Sequence, residues 1–325
     1  MSRPRRAAWI AILTALLVSP ALVSAQTARP RARVGVVRNQ PATDPMHQAF
    51  IGALRERGWV EGRNLVIDYL EGDLPKFPEL VRELVRRNVD VILAPNPQQA
   101  RIARDATSTI PIVFVVVGDP VGTGLVKSLA KPGGNVTGLT GFGSDLGGKR
   151  LEILKELVPR LARVAVLMNP TVPDKVLEWE HMQAAARELK VDVISVEVRS
   201  PDDLRAAFQA IGRAKPNGLI ALAEPLLFAN RQAVIDFARD ARLPAMFAWR
   251  QAVGSGALVS YGPDIVDLYR RAAGYVDRIL RGVRPADLPV EQPTRFEFAV
   301  NLKTARALGL TVPSSIMLRA DQVDE

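Results

Sequence analysis

Short apolar runs rich in β-branched residues recur along the first half of the chain at Val34 to Val37, Leu65 to Tyr69, Val89 to Ala94, Ile112 to Val117 and Val136 to Leu139. They return at Val164 to Met168, Val191 to Val198, Leu219 to Ala223, Ala245 to Phe247 and Ala257 to Ser260. Amphipathic segments lie between them. Glu79 to Arg87 carries Leu80, Val81, Leu84 and Val85 at helical spacing, and Asp264 to Leu280 carries Ile265, Leu268, Ala272, Val276, Ile279 and Leu280 likewise. Pro75, Pro97 and Pro201 fall near helix starts, where a missing N–H costs little. Runs such as Val91-Ile92-Leu93-Ala94 are apolar on both faces, so helices must cover both sides of a mostly parallel sheet. The pattern predicts a doubly wound, Rossmann-like α/β fold.

The pattern also repeats. Ala32 to Asn39 aligns with Ala162 to Asn169, Val91 to Pro97 with Leu219 to Pro225, and Ile110 to Phe114 with Leu243 to Phe247, at a nearly constant offset of about 130 residues. Two lobes of one type are expected, since single cores stop growing near about 250–300 residues. Ligands of open parallel sheets sit beyond the carboxyl ends of the strands. The polar residues there are Asn39, Asn96, Gln98 and Asp119 in the first half, and Asn169, Glu224, Trp249 with Arg250, and Tyr261 in the second. If the lobes face each other, these loops line one cleft that closes over a small ligand. Asp119 and Glu224 offer carboxylates to a cationic or hydroxyl group, their plainer roles being a helix cap near Thr123 and a surface ion pair. Asn39 and Asn169 suit a ligand carboxylate or a turn, Trp249 a stacking wall or core, and the Tyr261 hydroxyl a ligand contact, while Asp264 reads as an N-cap.

Composition narrows the class. The formal charge is +9, but basic residues alternate with acids, as in Arg55-Glu56-Arg57, so solvated helix faces are expected and nucleic acid is not. Arg3, Arg5 and Arg6, the apolar run Ala7 to Val18 and Val23-Ser24-Ala25 read as a cleavable signal peptide over residues 1–25, which places the mature protein in the periplasm. No cysteine is present to carry a disulfide or a lipid. The two histidines, His47 and His181, the lack of a Gly-x-Ser-x-Gly word and the lack of clustered metal ligands leave no catalytic residue, no metal and no cofactor to assign. Gly141 to Gly147 follows a strand as dinucleotide loops do, but reads better as an inter-lobe crossing with Ser144 capping the next helix.

The chain resembles the tryptophan/tyrosine-type ABC transporter substrate-binding proteins. The matching words include Gly58-Trp59-Val60-Glu61-Gly62-Arg63-Asn64-Leu65, Gly118-Asp119-Pro120-Val121-Gly122-Thr123-Gly124-Leu125-Val126, and Lys131-Pro132-Gly133-Gly134-Asn135-Val136-Thr137-Gly138. Gly148-Lys149-Arg150-Leu151-Glu152, Ser260-Tyr261-Gly262-Pro263-Asp264 and Pro289-Val290-Glu291-Gln292-Pro293-Thr294 follow in order. The resemblance implies a type I periplasmic-binding fold with three strands crossing between lobes. Lobe one would be 31–141 with 262–288, and lobe two 142–261 with 289–325, with Pro289 to Pro293 as a hinge crossing. It further implies a monomer that captures a small organic ligand, an amino acid or related compound, and delivers it to an ABC permease in the inner membrane. A ligand-sensing module feeding a membrane receptor is the alternative, and an exported hydrolase a weaker one. The sequence departs from the family pattern at Pro95-Asn96-Pro97-Gln98 and Ala248-Trp249-Arg250, which argues against an aromatic amino acid as ligand.

Overall fold

The computed structural model describes residues 31–38, 43–72, 74–141 and 143–325. The expected signal peptide and Asn39 lie outside the described residues. The first sheet holds β1 (Ala32–Arg38), β2 (Leu65–Glu71), β3 (Val91–Ala94), β4 (Ile112–Val117) and β5 (Val136–Thr140), all parallel, in the order β2-β1-β3-β4-β5. A second sheet holds β6 (Arg163–Met168), β7 (Asp192–Glu197), β8 (Gly218–Ala221), β9 (Ala245–Phe247), β10 (Val259–Pro263), β11 (Phe296–Asn301) and β12 (Gln322–Asp324), in the order β12-β11-β10-β9-β8-β6-β7. Its first five strands in sequence repeat the arrangement of the first sheet, β6 standing where β1 stands. Only the β10–β11 pair of this sheet is antiparallel among the described residues.

The helices are α1 (Pro45–Glu56), α2 (Phe77–Arg86), α3 (Pro97–Ala106), α4 (Leu146–Leu157), α5 (Pro173–Leu189) and α6 (Asp203–Ala214). After them come α7 (Pro225–Ala229), α8 (Arg231–Asp240), α9 (Arg250–Gly254), α10 (Ile265–Leu280), α11 (Leu302–Ala307) and α12 (Ser314–Met317). Alternate residues of the first sheet point to different covers: Val91 and Leu93 pack with Phe50, Leu54, Leu268 and Val276 of α1 and α10, whereas Ile92 and Ala94 pack with Phe77, Val81 and Ala100 of α2 and α3. This two-sided burial is why β3 is apolar throughout. The fold is α/β, with two doubly wound lobes.

The chain passes between the sheets after β5, between β10 and α10, and through the segment before β11. The last two passages are tied, since Asp264 N–H donates to Arg295 O at 3.0 Å. Before crossing, the last strand of chain adheres to the edge of β5, with Thr140 N–H donating to Glu291 O at 2.9 Å and Glu291 N–H to Gly138 O at 3.2 Å. Two local expectations are corrected. The N-cap of α4 is Asp145 rather than Ser144, and no side chain caps that helix. No helix begins at Thr123, because a tight turn intervenes: the Asp119 carboxylate accepts from Val121 and Gly122 N–H at 3.1 and 2.7 Å. Asp264 does cap α10, accepting from Asp267 N–H at 2.9 Å.

Candidate ligand-binding site

A cavity of about 130 Å³ lies between the carboxyl ends of the two sheets. From the first lobe it is lined by Met46 of α1, Pro95, Asn96 and Pro97 after β3, Val116 of β4, and Ile265 and Tyr269 of α10. The second lobe contributes Val172, Asp174 and Lys175 at the start of α5, Ala223, Glu224, Pro225 and Phe228 around the start of α7, and Trp249 and Gln251 after β9. The loops after β3 and β8 are the repeat-related pair Val91–Pro97 and Leu219–Pro225, so the duplicated fold delivers equivalent strand ends to opposite walls. Both words that depart from the family pattern contribute to this lining, through Pro95, Asn96, Pro97 and Trp249.

The wall is mostly apolar, with charges set into one side. Asn96 caps α3, accepting from Gln99 N–H at 2.9 Å, with Pro97 at the first helical position. Glu224 caps α7 in the same way, accepting from Leu226 and Leu227 N–H at 3.0 and 2.7 Å. Burial pushes its carboxyl up to about 7, and those two backbone N–H groups, Lys175 and a hydrogen bond from Asn169 hold it from rising further. Trp249 is buried and meets Phe228 edge to face, the ring centroids 5.3 Å apart.

Behind the cavity lies a buried ionic cluster. Glu178 accepts from Arg150 Nη1 and from Lys175 Nζ, both at 2.6 Å, and Asp174 Oδ2 stands 3.7 Å from Lys175 Nζ. All four side chains are at most 2% exposed. Burial works against the Lys175 ammonium, yet Glu178 and Asp174 outweigh it and raise its titration above the ordinary lysine range. Arg150 Nε also donates to Tyr261 O at 2.9 Å, tying α4 to β10. Close approach of α4 and α5 makes the cluster possible: a Cβ at Gly147 would stand 3.1 Å from Glu178, and one at Gly148 would stand 3.0 Å from Ala185.

Of the residues singled out from sequence, Asn96, Glu224 and Trp249 therefore meet at one cavity. Asn169 stands behind Glu224, its Oδ1 accepting from the Thr171 N–H and hydroxyl at 3.0 and 2.7 Å. Gln98, Asp119 and Tyr261 are not among the lining residues: Gln98 follows Pro97 on α3, Asp119 closes its own turn, and the Tyr261 ring packs on Phe296 and Phe298. His47 Nε2 lies 3.0 Å from the Tyr69 hydroxyl, and burial lowers its titration below the ordinary range; His181 is exposed on α5. Asp174 and Lys175, which sequence reasoning missed, sit just beyond Asn169, at the end of the strand equivalent to β1. That position is the one signal that pointed to them. A second recess, of about 590 Å³, opens at the amino ends of β9 and β10. Two of its polar side chains are already bonded, Asn301 Nδ2 donating to Val253 O and Thr304 Oγ1 to Gly256 O.

Two like α/β lobes, three passages of chain between them and a cavity across their strand ends give the type I periplasmic-binding fold. The chain belongs to the ABC transporter substrate binding protein family, whose model matches residues 33–324. A tyrosine-binding protein of Clostridioides difficile is 28% identical over 287 residues, 88% of this chain and 82% of that protein. Among solved structures, the ABC domain of Streptococcus pneumoniae in complex with L-Trp superposes with a TM-score of 0.84 at 25% identity, covering 90% of this chain and 99% of that one. A ligand-free, open substrate binding protein with adhesive properties from Clostridium difficile gives 0.66 at 26% identity over the same shares.

Proposed function

We propose that the chain is the solute-capturing component of an ABC importer, exported by a signal peptide over residues 1–25, and that it delivers to a membrane permease an α-amino acid with an apolar side chain, aromatic ones included, the aromatic wall of the cavity outweighing the departures at Pro95 to Gln98 and Ala248 to Arg250. The observation that carries this reading is the composition of the cavity wall. Trp249, Phe228, Tyr269, Ile265 and Met46 offer an apolar seat, while Glu224 and Lys175 place buried charges of both signs on the same wall. A zwitterionic head with an apolar tail matches such a surface, and relatives that bind tyrosine and L-Trp support it. The lobes divide as 31–141 with 262–288 and 142–261 with 289–325. The protein works as a monomer and leaves its ligand chemically intact.

Thermal melting of the purified chain against the twenty L-amino acids tests this. At one hundred times the dissociation constant a ligand adds about 2.7 kcal/mol of stability, so the cognate amino acid gives a clear upward shift. If none of the twenty moves the transition, the amino-acid reading is wrong.

A further inference from the structure

Asp174 occupies the first turn of α5, where the helix dipole favours a carboxylate. It is 2% exposed and its two oxygens have different surroundings. Oδ2 accepts from the Gly118 N–H at 3.2 Å. Gly118 directly follows β4 in the first lobe and α5 belongs to the second, so this bond spans the two lobes beside the cavity. Among the described residues Oδ1 is buried without a hydrogen-bond partner, on a residue that lines the cavity. Leaving a charged acceptor buried and unpaired is costly, and the natural relief is a donor supplied by whatever fills the cavity.

The surrounding charges indicate the kind of donor. Within the cluster, Arg150 is matched by Glu178 and Lys175 lies close to both Glu178 and Asp174, while Glu224 stands on the same wall as a further acid. When all five are ionised, acids exceed bases by one among these described residues, so a cationic donor is favoured over a hydroxyl. We propose that Asp174 is a specificity-determining latch, which takes the ammonium group of the ligand on Oδ1 and the Gly118 N–H of the opposite lobe on Oδ2, so that recognition and lobe closure share one carboxylate. This rests on the amino-acid reading above. A bound ammonium fixes the plane of the carboxylate, and the fixed plane aims Oδ2 at Gly118. Closure is thereby rewarded most for ligands that carry the amine.

The test compares L-tyrosine, L-tryptophan, L-phenylalanine and L-leucine with their deaminated counterparts, 3-(4-hydroxyphenyl)propionate, indole-3-propionate, 3-phenylpropionate and 4-methylpentanoate. Each is titrated calorimetrically into the parent chain, Asp174→Asn and Asp174→Ala, all first checked for cooperative melting. If the alanine variant does not melt cooperatively, Asp174→Ser replaces it. In Asp174→Asn the amide oxygen still serves Gly118 and the NH₂ group faces the ligand. It should weaken binding of the amino acid by about tenfold or more, while the deaminated acid changes by less than about threefold. Asp174→Ala removes both bonds, and small-angle scattering at saturating amino acid should show less compaction than the parent. Equal losses for both probe types in Asp174→Asn, or none, overturn the ammonium contact. Full compaction of Asp174→Ala overturns the latch. A parent that binds no amino acid fells the amino-acid reading and the latch with it, whereas the other two failures leave that reading standing.

Discussion

Glu224 caps a helix, lines the cavity and titrates near neutrality because of where it is buried. An acid whose folded pKa is raised keeps its proton where the unfolded chain has lost it. Its contribution to stability is therefore greatest below the ordinary carboxylate range, falls as pH rises to about 7, and stays level above. The difference amounts to about 3 kcal/mol at about 1.4 kcal/mol per pKa unit. Acids held low, such as Asp68 with Arg33 and Arg87, slope the other way, so the measurement that isolates Glu224 is the parent minus Glu224→Gln in urea unfolding from pH 4 to pH 8. That difference should decline across this window, and a flat difference would show that burial does not raise the group. Ligand binding reads the same proton. An ammonium is best met by the ionised form, so affinity should climb toward a plateau above about pH 7. Below it, binding should release a proton, which calorimetry in two buffers of unlike ionisation heat would count, and Glu224→Gln should abolish that release.

At the scale of elements, α5 explains both what sequence discloses here and what it hides. β1 to β10 are legible because each contains or adjoins a short, mostly apolar run, β-branched in most of them though not in β9, and the offset of about 130 residues carries the two-lobed plan. β11 was missed because Phe296-Glu297-Phe298 alternates apolar with polar in an antiparallel strand, and β12 because three residues borrow their order from pairing with β11. In the cavity, Asn96, Glu224 and Trp249 were found as strand-end residues, yet Asp119 has the same sequence position and turns its carboxylate back on its own loop. Asp174, Lys175 and Glu178 have the alternating charge of a solvated helix face, but the close approach of α4 at Gly147 and Gly148, distant in sequence, helps to bury it. Substitution there is correspondingly severe. Arg150→Met leaves Glu178 with one cation fewer and Tyr261 O without its donor, and breaking such a buried pair costs about 3–5 kcal/mol. Equilibrium unfolding would measure it, and a loss under about 1 kcal/mol would mean that the cluster relaxes freely. Gly148→Leu should act through the same contact, forcing α4 from Ala185 and lowering both stability and amino-acid affinity.

For the molecule as a whole, the tied passages at Asp264 and Arg295 and the adhesion of Glu291 to β5 leave the lobes free to move chiefly by bending where the chain passes between them. Small-angle scattering should show the parent contracting on addition of its amino acid, and a constant radius at saturation would contradict a clamp. The route of the chain has another outcome. The helix that covers α1 is α10, and Trp59 Nε1 reaches across 218 positions to donate to Asp277 Oδ1 at 2.8 Å. Lobe one therefore lacks a wall until the first segment of lobe two has been made. A fragment ending at Tyr261 would expose the apolar face of α1, including Phe50 and Leu54, and should show no cooperative melting. Contacts this distant in sequence also slow folding. During synthesis the amino-terminal lobe can complete its fold only once α10 has emerged, and on the proposed export route that delay would keep the chain threadable through a narrow translocation pore.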